Sequence, residues 1–573
     1  MNQLKIFYLL IILFLLNSGF AQSFSDIQKA NEQLTERGEV YFRFPDHPFH
    51  ILQKLGKKIS IDRSQINGWV YAYANADGFA DFLELNIPLE VLTPPGILTD
   101  LKMLDQMTGT SLSDWDFYPT YEVYVEMMGK FQEDYPDLCQ VFSIGQTVQG
   151  REILFARISD NAEWEPGEAQ FLYTSSMHGD EITGYVLMLR LIDYLLSNYG
   201  DDPQVTQLVD NLDIWINPLA NPDGTYFGGN QTVNGAKRFN ANNVDLNRNF
   251  PDPEEGPHPD GKPWQVETMA FMQLAEENRF VISSNLHGGA EVCNYPWDTW
   301  PQLAADDDWW QFVCREYADT AQFYSPAGYM SGFNSGITNG YSWYSISGGR
   351  QDYMNYFHHC REFTLEISNL KLPPPSQLPA FWEYNHRSFL NYMEQTLFGI
   401  RGMVTDKNTS DPVEATITIE GHDADNSWVG SNPADGWFFR PVYQGTYKFT
   451  ISAPGYETYT TGDIKITNRQ SVEIFAELEI SGAGLGQHSL ITDFRIGYDA
   501  QTGNYSIVYQ GSDEFQSVIV ISSLEGRRIA EYTHSFGVNS NLFRIEMSLL
   551  PKGIYLLTLV RDASVHTWKL IIN

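Results

Sequence analysis

Cysteine is scarce in this chain, with four thiols, Cys139, Cys293, Cys314 and Cys360, among 573 residues. So few exclude a small disulfide-built scaffold, and their spacing is that of no zinc motif; three pairings or free buried thiols are all open to them. Basic residues are also in short supply, 36 Lys plus Arg against 72 Asp plus Glu, a formal net charge of -36. That balance argues against nucleic acid or an anionic membrane surface as partner. Long hydrophobic runs are missing beyond the first residues, so no transmembrane segment is expected in the mature protein. The one early run, Ile6 to Leu16, follows Lys5 and leads to Gly19-Phe20-Ala21, the layout of a secretory signal peptide over residues 1–21.

Apolar residues are plentiful, 43% hydrophobic with 14% aromatic, which excludes a disordered chain. The length predicts about three or four domains. Residues 22–112 read as strand (Gly38 to Phe44), helix (Pro48 to Ile59), strand (Gly68 to Asn75), helix (Ala76 to Leu85), strand (Ile87 to Leu92), a small α+β lobe closed by the breaker Pro94-Pro95-Gly96. Over 113–398 strand-like and helix-like runs alternate, which predicts an α/β domain with a mixed sheet flanked by helices. Its candidate strands Ile153 to Ile158, Gln170 to Ser176, Leu212 to Pro218, Phe280 to Leu286 and Glu362 to Ser368 are apolar enough to be buried on both faces. Two all-β sandwich domains follow, 399–480 and 487–573, with Ser481 to Gln487 as the linker.

Candidate chemistry begins at QFLYTSSMHGDEITG, Gln170 to Gly184, where a buried strand runs out into His178 and Glu181 and an amphipathic helix, Ile182 to Ser197, takes over. Ligands in open α/β sheets bind where strands end. Zinc takes nitrogen and oxygen donors, and catalytic sites commonly use two His and one Glu. His287 in SNLHGG, at the end of another strand, is the third candidate ligand. Each histidine alone reads more readily as a strand cap; the matched placement of both shifts the reading toward metal. Between them AKRFNANNVDLNRNFPD, Ala236 to Asp252, packs guanidinium and amide donors suited to a carboxylate or an oxyanion, or forms an Asn-rich surface loop.

HGDE, NPDG (Asn221 to Gly224), DLNRNF, LHGG, NYPWD, GITNGYSWYSISGGRQD and FTLEIS occur in the order and approximate spacing of the zinc metallocarboxypeptidases. The chain resembles most the branch that regulates peptides by removing basic C-terminal residues. The resemblance covers roughly Tyr118 to Glu479, since that branch carries a transthyretin-like β-sandwich after the catalytic domain. It implies one Zn2+ per catalytic domain, held by His178, Glu181 and His287, with Asp245 orienting a ligand imidazole. Glu366 would be the general base toward a water the metal activates. Arg238 would stabilise the oxyanion, Asn247 and Arg248 would grip the substrate's C-terminal carboxylate, and Tyr344 would close over it. Asp298, with Gln351 as polar partner, falls where the branch places its specificity pocket, which implies C-terminal Lys or Arg.

Two departures stand out. The regulatory branch generally lacks an N-terminal lobe, whereas the digestive branch has an inhibitory prodomain, so 22–112 is a candidate prodomain, although no dibasic cleavage signal follows it. Arg350, directly before Gln351, stands where the branch usually has an apolar residue. It could neutralise Asp298 by folding inward; the expectation is that its long stem keeps the charge in water. SSLEGRRIA (Ser522 to Ala530), LLPKGIYLLTLV (Leu549 to Val560) and the closing WKLIIN resemble the sorting domain of the Bacteroidetes type IX secretion route, a generic immunoglobulin-like module being the other reading. The expectation is a secreted or cell-surface zinc carboxypeptidase whose partners are peptide or protein C-termini and the type IX machinery. A carboxypeptidase for apolar C-termini or cell-wall peptides, or a catalytically silent peptide-binding protein, are the alternatives.

Overall fold

The computed structural model describes residues 24–98, 101–107, 114–161 and 167–481, and then 494–499, 504–509, 514–523, 528–537, 542–545, 553–561 and 564–572. The signal-peptide stretch, most of the Ser481 to Gln487 linker and parts of SSLEGRRIA and LLPKGIYLLTLV lie outside the described residues. The chain divides into two units, one up to Ile480 and one from Ser481.

The first unit begins with the lobe: α1 (Phe24–Arg37), β1 (Val40–Pro45), α2 (Phe49–Gly56), β2 (Ser60–Ile66), β3 (Trp69–Ala74), α3 (Ala76–Glu84) and β4 (Glu90–Val91), with the antiparallel sheet ordered β2-β3-β1-β4. Two of these elements, α1 and β2, are not foreseen in the sequence; β2, SIDRSQI, has no apolar alternation to mark it. Strand alternation explains how the lobe is seated. Val40, Phe42, Phe44, Val70 and Ala72 point into the lobe's own core, and Tyr41 and Tyr73, on the other face, pack with Phe239 of the α/β domain. This sheet is therefore apolar on both faces, and it is covered on both.

The α/β domain has an eight-stranded mixed sheet ordered β13-β12-β14-β11-β9-β10-β8-β7. Its strands are β7 (Cys139–Gln146), β8 (Glu152–Ile158), β9 (Ala169–Ser175), β10 (Leu212–Asn217), β11 (Phe280–His287), β12 (Glu291–Tyr295), β13 (Ile337–Asn339) and β14 (Arg361–Ile367); the short pair β5 (Met103–Leu104) and β6 (Tyr118–Pro119) precedes them. The central strands β10, β9, β11 and β14 run parallel, each to the next. Residues alternate between two cores. Phe171, Tyr173, Ile282, Phe363 and Leu365 face α4 (Tyr121–Asp134), α5 (Thr183–Asn198), α6 (Pro203–Asn211), α8 (Asp307–Phe323) and α10 (Leu378–Glu394). Ile153, Phe155, Leu172 and Trp215 face α7 (Val266–Glu277) on the other side. The four cysteines are buried free thiols.

Residues 399–480 form a sandwich whose three-stranded sheet (Trp437–Arg440, Gly399–Asp406, Ser471–Leu478) and four-stranded sheet (Val429–Gly430, Thr416–Ile419, Phe449–Ser452, Tyr459–Thr460) enclose Ile400, Val404, Ile417, Phe449 and Ile451. It is fastened to the α/β domain through buried Asp306, whose carboxylate accepts from Arg361 at 2.9 Å and from Arg440 at 2.9 Å. The second unit, by itself, is two antiparallel sheets of three and four strands around Ile507, Ile519, Leu557 and Leu559.

Candidate metal and substrate site

Three parallel strand ends bring the histidines and two glutamates together. β9 stops at Ser175, so that His178 and Glu181 fall in the turn before α5. His287 is the last residue of β11, and it stands in register opposite Glu366 on β14. His178 Nδ1 lies 3.0 Å from His287 Nδ1 and 3.0 Å from Glu181 Oε1, while His287 Nδ1 lies 2.8 Å from Glu181 Oε2. All three residues are buried and their donor atoms fall within 4.8 Å of one another. Two imidazole nitrogens aimed at one point beside a carboxylate form the donor set a zinc ion takes, so these residues fit that metal.

A second layer holds this group. His178 Nε2 is 3.0 Å from Asp245 Oδ1, an outer contact of the kind that fixes a ligand imidazole's tautomer. Asp245 Oδ2 also accepts from Arg238 Nε at 3.0 Å and from Ser60 Oγ at 2.5 Å. Arg238 Nη1 donates to Glu181 at 3.2 Å. Lys371 Nζ, fully buried, reaches Glu181 Oε1 at 2.5 Å and Asp62 Oδ1 at 2.6 Å. Ser60 and Asp62 belong to β2, so the lobe puts a hydroxyl and a carboxylate into the centre. It is fixed there by further bonds: Tyr73 OH donates to Asp180 at 2.6 Å, Arg37 to the Ala236 carbonyl at 2.8 Å, and Glu39 accepts the backbone N–H groups of Arg238 and Phe239. Gly96, in the breaker after the lobe, lies so close to the Ala236 carbonyl that a Cβ would sit 1.9 Å from its oxygen.

The loop from Ala236 to Asp252 is no exposed Asn-rich turn. Asn240, fully buried, donates to Gln265 and Glu267, and Asn249 to Asp260. Beside the metal cluster lies a cavity of about 30 Å³ lined in part by Asn247, Arg248, Asn294, Asp298, Tyr344 and Glu366. Arg248 spends Nη1 on the Asn247 carbonyl, and its Nε and Nη2 are buried without a partner. Glu366 Oε2 is likewise unpartnered. Asp298, 3% exposed, accepts from Asn294 Nδ2 at 3.2 Å, leaving Asn294 Oδ1 unpartnered. Gly340 makes room for this pair, because a Cβ there would come within 1.8 Å of Asp298 Oδ1. Tyr344 packs against the lobe's core.

Gln351 does not line the cavity. Its Oε1 accepts from the Thr364 N–H at 2.7 Å, which commits the oxygen that a substrate cation would need. The expectation for Arg350 also requires correction. Its side chain is neither in water nor beside Asp298: it is 1% exposed and makes a two-point pair with Glu362 at 3.0 and 2.7 Å. Glu362 is a buried carboxylate on β14, and it draws the guanidinium away from the pocket.

Burial raises the Glu366 carboxyl well above its usual range, with the charge of Glu181 adding to the effect. Burial also pushes Asp298 up to about 7, against the lowering influence of Asn294 and Arg248. Its neighbour Asp352 is raised by burial and by the charge of Asp298. Burial alone would raise Glu181, but His178 and Lys371 hold it well below the carboxylate range.

The structure thus gathers His178, Glu181, His287, Glu366, Arg238, Asn247, Arg248, Tyr344 and Asp298 at one cavity and puts Asp245 directly behind it. Asp62, Lys371 and Asn294 were missed in the sequence. Asn294 opens the NYPWD stretch already singled out and was within reach; Asp62 and Lys371 carry no local signal.

The chain is similar to known proteins along most of its length. The zinc carboxypeptidase family profile matches residues 124–388, the carboxypeptidase regulatory-like domain 399–479, and the secretion system C-terminal sorting domain 501–573. The sorting domain assigns the protein to secretion or the cell surface, and among the described residues no helix is long and apolar enough to cross a membrane. The lobe lies outside all three matched stretches. Mouse carboxypeptidase D is 33% identical over 80% of this chain, which spans only 34% of that protein's length. The crystal structure of carboxypeptidase A from Helicoverpa armigera aligns with a TM-score of 0.48 and 16% identity, over 62% of this chain and 98% of that chain. The human carboxypeptidase N catalytic chain is 36% identical over 59% of this chain and 81% of its own length. The chain belongs to the zinc carboxypeptidase family, and it carries a secretion sorting domain.

Proposed function

We propose that the protein removes the last residue of peptides or proteins, preferring Lys or Arg, with one zinc ion held by His178, Glu181 and His287. When bound, zinc supplies Lewis acidity toward the scissile carbonyl and lowers the pKa of a water. The protein's own groups do the rest. Arg248, through its unpartnered Nε and Nη2, and Asn247 receive the substrate's terminal carboxylate, which restricts cleavage to the end of a chain. Glu366 takes the proton of the attacking water and passes it to the leaving amine; its raised pKa lets it hold that proton between the two steps. Arg238 stabilises the developing oxyanion once substrate draws it from Glu181. Asp245 fixes the His178 ring, Tyr344 covers the bound end, and Gln351 supports the pocket through Thr364.

The observation that carries the basic preference is the buried pair of Asp298 and Asn294, which offers a carboxylate and a free amide oxygen to a cation, with Arg350 bound instead to Glu362. An apolar terminal residue would leave that charge unpaired. The domain reading is proposed with it: signal peptide 1–21, lobe 22–112 as a prodomain, catalytic domain 113–398, β-sandwich 399–480 and sorting domain 487–573. A cavity of about 30 Å³ holds roughly one water molecule. Asp62 seated against Lys371 and the lobe's core against Tyr344 support the reading of the lobe as a cover, which moves or is cut away to admit a peptide. The test compares matched peptides ending in Arg, Lys, Leu and Phe on the secreted protein before and after limited proteolysis, with a chelator control. Leu or Phe released faster than Arg overturns the preference; activity that survives complete metal removal overturns the mechanism.

A further inference from the structure

The first turn of α9 (Arg350–Phe357) touches three different walls of the substrate cavity through three consecutive residues. The Arg350 N–H donates to Asn247 Oδ1 at 2.9 Å, which commits the amide oxygen and leaves the Nδ2 donors of Asn247 for a carboxylate. Gln351 holds β14 at Thr364, two residues before Glu366. The carboxylate of Asp352 accepts the backbone N–H groups of Asp298 at 3.0 Å and Thr299 at 2.8 Å. That turn is tied to β14 by the two-point pair between the Arg350 guanidinium and Glu362, which is reinforced by Ser283 Oγ donating to Glu362 Oε2 at 2.7 Å. Asn355, one turn on, donates to both the Gln351 and Glu362 carbonyls.

We infer that Arg350 is a positioning residue: its pair with Glu362 sets the first turn of α9, and through it aligns the carboxylate grip at Asn247 and the specificity carboxylate at Asp298. A long cation at a pocket edge would be expected to repel a basic substrate. Here it is turned 1% exposed into the core, its guanidinium over the ring of Phe271 at 5.6 Å, and it works through the backbone. The consequence rests on the carboxypeptidase reading for its kinetic arm and not for its structural arm.

The decisive variant is the paired replacement Arg350→Met/Glu362→Leu in the full chain, because removing both charges avoids stranding one and often leaves stability intact. Amide hydrogen exchange on the uncut protein is expected to speed up by about 10-fold or more at Arg350, Asp298 and Thr299, while the strands around Phe171 and Ile282 keep their protection. After limited proteolysis, KM for a C-terminal Arg peptide is expected to rise about 10-fold with kcat within about twofold, since ground-state and transition-state binding are lost together. Arg350→Lys, which keeps one contact, gives an intermediate change in both readouts and stands in if the paired variant fails to fold. Unchanged exchange at Asp298 and Thr299, or faster exchange with unchanged KM, overturns the inference. If the wild-type protein releases no basic residue at all, the specificity reading fails while the exchange result still decides the positioning.

Discussion

The two ends of the catalytic cavity are both built from buried charges at strand ends, and they differ in what satisfies those charges. At the metal end the carboxylates meet cations or imidazoles of the protein itself: Asp245 meets His178 and Arg238, Glu181 meets His287, Arg238 and Lys371, and Asp62 meets Lys371. At the substrate end Arg248 Nε and Nη2, Asn294 Oδ1 and Glu366 Oε2 are buried without partners. Each such atom costs on the order of 1–3 kcal/mol, so a fold tolerates several together only where something else will supply the missing bonds. On the proposed function, the contrast marks where a peptide terminus would bind and what would cover it. The substrate end lacks partners that a peptide terminus would bring, whereas the metal end has borrowed Asp62 from the lobe.

The largest break in the comparison comes from the unpartnered carboxyl. Glu366→Gln keeps the size and removes the base, so turnover should fall by about 10²–10⁴-fold while the zinc content of the purified protein stays at one ion per chain. Steady-state kinetics together with metal analysis checks both halves. Wild-type turnover would move the base elsewhere. At the pocket, Asp298→Asn retains the shape and deletes the charge, and the ratio of kcat/KM for Arg over Leu peptides should drop by roughly 10–100-fold. A ratio that does not move would make Asp298 a turn residue only.

Asp62 sharpens the other side. Replacing it by Ala takes from Lys371 one of its two close carboxylates and weakens the lobe's seat, so the uncut chain should gain about 10-fold in peptide hydrolysis and become easier to cut near Pro94-Pro95-Gly96. Unchanged activity and cutting would make the lobe a permanent wall of the site and not a cover.

How far the site could be read in advance follows from where each signal resides. His178, Glu181 and His287 sit at the ends of strands whose apolar runs mark them, so their convergence is visible as strand-end placement, whereas Glu366 is reached only through the family resemblance. Arg350 was misplaced because its partner Glu362 reads as an ordinary strand residue, and nothing local says that two residues twelve apart will be buried face to face. The lobe's β2 was missed for a related reason: SIDRSQI has no apolar alternation, and its Asp62 has meaning only opposite Lys371. Elements that satisfy themselves locally were legible. Those that satisfy a distant charge were not.

A smaller effect comes from pH. Burial pushes Asp298 up to about 7, with Asn294 and Arg248 opposing and Asp252 and Glu362 adding to it, and Asp352 shares the same buried site. The group is an acid raised above its ordinary value, so it is neutral below about 7 and charged above. A cationic side chain therefore gains its partner as pH rises, and the Arg-over-Leu ratio should grow several-fold between about pH 6 and 8. Asp298→Asn should flatten that profile. A flat wild-type profile would mean that Asp298 stays charged throughout, with Asp352 carrying the shared proton.

The smallest expected effect tests the outer boundary of the comparison. Every residue assigned to either end of the cavity, and every contact of the lobe with it, lies before Ile480, in a unit distinct from residues 481–573. The second unit has its own core around Ile507, Ile519, Leu557 and Leu559 and matches a sorting domain. Deleting His488 to Asn573 should therefore leave kcat and KM within about twofold of the full protein, the range expected of changes with no shared partner. The same deletion should retain the enzyme inside the cell envelope, because the signal read for export is gone. Activity of the purified truncation and its distribution between periplasm and medium are separate measurements. Normal kinetics with lost export makes the unit an address alone. A truncated protein that is exported normally but has lost activity would reverse that assignment, and the charges at the metal end would then need a support the first unit does not contain.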